Sequence, residues 1–315
     1  VDSQINHILL HPTPKMKKDA LHRHDNLKEL SAAYILEMER INRLEPTQKK
    51  IVLDTLSLVA DATRPLHISG LQLALAFEGG DSEVDDNALV DPATINNLCG
   101  GLVVFDETRA IRLLNSSVEK YLESLNMTAA SAHYKLASAC LNYLSLDVVQ
   151  SGVCSSEGDV QINHLFDYAA RNWGHHWRLS GETDNVLLQK ALALLSNKIF
   201  DPMSRVLFSP TSTTHNGQDH GGQKPIHFLS RCGLPNTIKS LADTYGGDMW
   251  DNYRYYHSAQ GPRAQMINAK DKGGRTSVSW AAENAHDRAV QMLRTYGADT
   301  YSGDNSGINS FVADS

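Results

Sequence analysis

Two stretches near the start of the chain carry apolar residues at helical spacing. Leu27, Leu30, Ala33, Tyr34, Met38 and Ile41 lay a stripe along a first helix. Ile51, Val52, Thr55, Leu56 and Val59 lay another along a second, and Glu45-Pro46-Thr47 breaks the first and starts the second. Arg64-Pro65-Leu66 reads as extended, because the residue before a proline is pushed out of the helical region. Ser69-Gly70-Leu71-Gln72 has the form of a capping box and predicts a short helix to Phe77. Gly79-Gly80-Asp81-Ser82 and the acidic run Glu83–Asp86 read as a solvated loop. Asp91-Pro92 predicts the start of a fourth helix, with proline at its first position. The apolar runs Leu102–Phe105 and Ile111–Leu114 flank Asp106–Ala110 as a β-hairpin. Ser116-Ser117-Val118-Glu119 then reads as a second capping box, opening a helix through Tyr121 and Leu122.

Helix, helix, short helix, helix and two-stranded wing is the order of a winged-helix domain. It is expected over residues 26–125, with the wing at 102–114 as the substantial β structure. Arg64-Pro65-Leu66, Leu71-Gln72-x-Ala74-Leu75-Ala76 and Leu98-Cys99-Gly100-Gly101-Leu102-Val103 resemble the winged-helix segment that follows the NACHT NTPase in fungal NLR-like (STAND) proteins, the type named after a GPI inositol-deacylase. Asn115–Leu122 is a degraded version of the motif that follows the wing in that family. Ala139–Asp147 resembles its C-L-x-Y-L-S-x-D helix, and Leu165–His176 its Y-A-A-x-x-W-x-x-H joint. The resemblance implies modules that stand between a nucleotide switch and an ankyrin sensor array. Yet the chain contains no G-x-x-x-x-G-K-[ST] and no Gly-Lys dipeptide. The NACHT module is therefore absent from this chain: either truncated away, with Val1 the start of a fragment, or not used.

Toward the C-terminus the pattern repeats. Lys272-Gly273-Gly274-Arg275 forms a glycine-rich tip, Thr276 is placed to cap a helix, and Ala281-Ala282 allow close helix approach. Val290, Met292 and Leu293 stripe a second helix, and Gly297 suits the left-handed turn that ends it. Lys224-Pro225-Ile226-His227, Cys232-Gly233, Ile238 and Leu241 repeat these features 52 residues earlier. Asn268–Asp299 resembles one ankyrin repeat, nearly complete, and the upstream unit resembles another. The family period is about 33, so roughly 19 extra residues separate them, assigned to a loop at 248–265. Two repeats fall short of the roughly three needed for independent stability, so the array should lean on the preceding helices, through Leu187–Phe200.

Composition narrows the function classes. The chain has 315 residues and a net charge of −7. Residues 26–125 hold nine Lys/Arg against sixteen Asp/Glu, and the would-be recognition helix 92–99 has no basic residue. Phosphate contacts need Lys or Arg, so nucleic acid is not the expected partner. No apolar run spans a bilayer, and Ile8-Leu9-Leu10 is too short for a signal-peptide core. The four cysteines are dispersed, which fits free thiols in a reducing, cytoplasmic setting. His22-x-His24 and the group His164, Asp167, His175 and His176 have residue types suited to metal or acid–base sites. Asp167 and Arg171, four apart on a helix, read instead as an ion pair, and Tyr168, Trp173 and Trp177 as buried anchors. His220-Gly221-Gly222 has the look of an esterase oxyanion loop, but no G-x-S-x-G accompanies it.

The expected fold is mainly α: a basic linker (1–25), the winged helix (26–125), a helical linker (126–210), a loop (211–223), two divergent ankyrin repeats (224–300) and a tail (301–315). The expected role is a non-enzymatic regulatory and protein-interaction chain, with no catalytic residue, cofactor, metal or small-molecule substrate. The protein partner is expected on the concave side of the ankyrin pair, at Lys272, Arg275, Ser279, Glu283, Asn284 and His286, because these side chains are polar and none is needed to fill the core. The alternatives are a deacylase-type hydrolase and a winged-helix DNA-binding regulator.

Overall fold

The computed structural model describes residues 27–76, 86–124, 130–150, 164–208, 222–244 and 261–300. The expected linker 1–25, residues 79–85 of the acidic loop, the loop 211–221, residues 248–260 and the tail 301–315 lie outside the described residues. The chain divides into two compact units, 1–139 and 140–315.

In the first unit, α1 (Leu27–Asn42) and α2 (Pro46–Asp61) carry the predicted stripes. Tyr34, Met38, Ile41, Val52, Leu56 and Leu58 are buried. Pro46 stands at the first turn of α2, where its missing N–H costs nothing. The helix α3 (Ile68–Ala76) starts earlier than the Ser69 capping box predicts. The Ile68 N–H donates to the Arg109 carbonyl, and the Ser69 hydroxyl pairs with His67 Nδ1 at 2.7 Å instead of capping. Asp91 does cap α4 (Pro92–Leu98): its carboxylate accepts from the Thr94 N–H at 3.0 Å.

The hairpin is present as β2 (Val103–Phe105) and β3 (Ala110–Leu113), with Val103 opposite Leu113 and Phe105 opposite Ile111. Asp106 closes its turn by accepting from Thr108 N, Thr108 Oγ1 and Ala110 N, and these hydrogen bonds hold its carboxyl below the usual range. The wing has a third strand that the expectation lacked. β1 (Leu66–His67) pairs antiparallel with β3, giving the sheet order β1-β3-β2. The second capping box is also displaced by one residue. Asn115, not Ser116, caps α5 (Ser116–Ser124): its Oδ1 accepts from Ser117 N at 2.9 Å and Val118 N at 3.1 Å. Tyr34 Oη donates to the same oxygen at 3.2 Å and so ties α1 to the start of α5. The helix α6 (Ala130–Ser145) begins in this unit, where Lys135 pairs with Asp54 of α2.

The second unit contains α7 (Asp147–Gln150), α8 (His164–Leu179), α9 (Asn185–Leu195) and α10 (Phe200–Phe208). There follow α11 (Pro225–Cys232), α12 (Pro235–Thr244), α13 (Pro262–Ile267), α14 (Ser277–Glu283) and α15 (Asp287–Thr295). Two helical hairpins, α11–α12 and α14–α15, stack first helix on first helix and second on second. Their turns match at the 52-residue offset: Gly233 (φ 69°) and Ala285 (φ 55°) both sit in the left-handed region. A Cβ at Gly233 would overlap the His286 ring, so glycine is needed there twice over. The end of the region assigned to a loop, 262–265, is helical instead, because Gly261 and Pro262 start α13.

The segment expected to be a linker takes part in this stack. α8 packs on α10 and on α11, and α9 packs on α12, so each hairpin helix of α11–α12 has a neighbour upstream. Trp173 and Trp177 are fully buried and Tyr168 nearly so. The two hairpins lean on the expected Leu187–Phe200, through α9 on α12 and through Phe200, whose ring meets Phe228 edge to face at 6.1 Å, and on α8 as well. Trp173 stacks on Phe228, and Trp177 Nε1 donates to Thr237 Oγ1 at 3.0 Å. Gly174 allows this approach, since a Cβ there would stand 2.6 Å from Cys232 Sγ.

Candidate interaction surface

The surface is built on the finger that precedes α14. Lys270 and Thr276 form a bridge, and the Gly274 N–H returns to the Asp271 carbonyl at 3.0 Å, with Gly274 at φ 78°. Asp271 is buried and organises the turn. One carboxylate oxygen accepts from the Arg275 N–H at 2.9 Å and the other from Trp280 Nε1 at 3.1 Å. Thr276 caps α14, accepting from the Ser279 N–H at 3.3 Å, and Ser279 returns the contact to Thr276 N. His227 does for α11 what Ser279 does for α14. Its Nδ1 accepts from the Lys224 N–H at 3.0 Å, which leaves Nε2 as the donor to the Ala269 carbonyl at 2.9 Å. Burial lowers the pKa of this imidazole and outweighs its hydrogen bond to Ala269 and the nearby Asp271 carboxylate.

None of the six residues expected to face a partner is buried, but four of them also make contacts within the fold. Arg275 lays its guanidinium 3.6 Å over the Trp280 ring and pairs with Glu283. Ser279 is spent on the cap. Asn284 Nδ2 donates to the Trp280 carbonyl at 2.8 Å. His286 Nε2 donates to the Arg231 carbonyl at 3.1 Å, while its ring fills the space over Gly233. Lys272 and Glu283 are exposed.

Three further residues stand behind this surface, the buried Trp280 and Phe208 and the half-buried Arg231. Trp280 and Phe208 meet edge to face with centroids 4.8 Å apart, and Phe208 also meets Phe228 at 6.5 Å. Arg231 lies 5.2 Å over Phe208 and 5.3 Å over Trp280. Burial is the main cause pulling its pKa down. The cue available in the sequence was the 52-residue offset, which sets Arg231 level with Glu283 and Phe228 level with Trp280.

Of the joint residues whose types suit a metal or acid–base site, the His164 side chain lies outside what the structure describes, and His176 and Asp167 have partners within the fold. His176 is fully buried and 2.9 Å from the Tyr168 hydroxyl, and Asp167 pairs with Arg171 at 2.8 Å. Among the described residues no group of three His, Cys, Asp or Glu is placed to hold a metal ion. Cys99, Cys140 and Cys232 are free, buried thiols, each pushed up to about 12 by burial. His22 and His24, and His220-Gly221, lie outside the described residues. Among the described residues no helix is long and apolar enough to cross a membrane.

Residues 38–145 match the family model for the winged helix domain of GPI inositol-deacylase, so a winged-helix domain is present in the chain. The chain is also 24% identical over 280 residues to the azaphilone pigments biosynthesis cluster protein L of Monascus ruber. That match covers 78% of this chain and 54% of the relative, so the chain spans about half the length of the curated relative it matches. No solved structure matches.

Proposed function

We propose that this chain is a non-enzymatic, cytoplasmic regulatory portion of a fungal NLR-like protein, and that it captures a protein partner on two divergent ankyrin repeats. The observation that carries the reading is the pair of stacked hairpins related by 52 residues, each with the same left-handed turn and a cap closed from its third helical residue. Such a stack exposes side chains from rigid first helices and a finger, a common form of binding surface. The winged helix upstream and the similarity to a fungal relative agree with that context. The winged helix is read as a packing module, since its acidic excess opposes binding to phosphates. No membrane, cofactor or small-molecule substrate enters the proposal.

Lys272 and Glu283 allow a test that leaves the framework intact. The full chain and a Lys272→Glu, Glu283→Lys double variant are used as bait in extracts of the source organism, with Lys239→Glu on α12 as control. The expected result is a protein recovered with the native chain and the control but depleted with the double variant. Equal recovery by all three, or ester hydrolysis by the purified chain, would overturn the proposal.

A further inference from the structure

Among the described residues, Arg231 on the first-helix face makes no ion pair. Arg171 pairs with Asp167, and Arg275 pairs with Glu283. Among the described residues no carboxylate or carbonyl accepts a hydrogen bond from the Arg231 guanidinium, which lies over the Phe208 and Trp280 rings. It is half-buried, and none of its nitrogens is both enclosed and unpaired, so the group keeps an edge toward solvent.

A guanidinium held against two rings has already lost much of its rotamer freedom, so a ligand does not have to impose that order. Its remaining N–H edge matches a carboxylate in bidentate fashion, a geometry an ammonium cannot offer. The site also favours an incoming negative charge. Glu283 acts on Arg231 as an opposite charge while Arg275 and Arg171 act as like charges, and partial burial weakens screening by salt.

We propose that Arg231, flanked by Arg275, anchors an acidic side chain, and that the first-helix face takes an Asp/Glu-rich segment of a protein partner. This rests on the protein-partner reading above. A peptide fits better than a nucleic acid, whose affinity comes from many phosphates neutralised along a strip of cations. Here the two flanking arginines are already matched by Asp167 and Glu283, which leaves one discrete position for a carboxylate.

The test uses the full chain and a fluorescein-labelled peptide of Glu, Asp and Leu, followed by anisotropy. A single-stranded oligonucleotide of equal charge serves as comparator. Arg231→Gln is expected to weaken peptide binding by about tenfold, the loss of one charge-assisted hydrogen-bond pair. Arg231→Lys keeps the charge and loses the fork, so it should weaken binding to an intermediate extent, and it stands in if the glutamine variant melts early. Lys239→Glu should bind as the native chain does. The inference is overturned if Arg231→Gln binds like the native chain, if Lys239→Glu weakens binding as much, or if the oligonucleotide binds as tightly as the peptide. A captured protein whose recovery ignores Arg231→Gln would sink this inference and leave the protein-partner reading standing. Arg231-dependent peptide binding with no captured protein would do the reverse.

Discussion

The Trp173 indole lies flat on the Phe228 ring, with centroids 5.2 Å apart and planes 12° apart. Both side chains are fully buried, and the pair joins α8 to the first hairpin of the 52-residue repeat. Trp173→Ala should therefore destabilise the second unit by about 3–5 kcal/mol, the range for emptying a large aromatic site. Urea denaturation followed by circular dichroism reads this directly. An unchanged midpoint would mean that the stack contributes nothing.

The caps of the winged helix make a sharper test, because they separate neighbours. Asn115→Ala should cost about 1–2 kcal/mol, since it removes the acceptor for two N–H groups and for the Tyr34 hydroxyl. Ser116→Ala should stay within about 0.5 kcal/mol. Equal losses at both positions would return the cap to Ser116.

Much of the fold is legible in residue order, and the failures have physical causes. Asp91 was readable as a cap because Pro92 can open a helix and cannot continue one. Asn115 and Ser116 both suit a cap, and only the position of Tyr34 and the two reachable N–H groups decides between them. β1 is two residues long, too short to show alternation, and exists because Leu66 finds Ile111 across the sheet. The surface was less legible. Polar residues near the finger looked available from sequence, yet Arg275 and His286 are held by partners that only the folded chain supplies. Arg231 and Phe208 are brought together by the packing of α10 over the first helices.

Arg275 and Glu283 should now respond differently to charge reversal, although they form one ion pair. Glu283→Lys should cost no more than about 0.5 kcal/mol, as for other exposed positions. Arg275→Glu also uncovers Trp280 and should cost about 1–2 kcal/mol. Thermal melts of the two variants check the order.

The stability of the second unit should fall in mild acid. Folding lowers the pKa of His227, so below its ordinary value of 6.5 the unfolded chain binds the proton first. The stability is then complete above that value and is lost as pH falls toward the folded pKa. A proton added at Nδ1 would face the Lys224 N–H, which it cannot accept. The denaturation midpoint is expected to drop between roughly pH 7 and pH 5, with a smaller drop in His227→Gln. An NMR titration of His227 near its ordinary value, with no change in midpoint, would contradict this.

The most direct measurement is site-specific photocrosslinking in the source cells. A photoreactive residue is placed in the full chain at Lys272 or Glu283, on the finger and first-helix face, and at Lys239 or Arg294, on the second helices. The account predicts one defined protein adduct from Lys272 and Glu283 and none from Lys239 or Arg294. Equal labelling from all four positions, or no protein adduct from the finger and first-helix face, would contradict the claim that this face is where the protein acts.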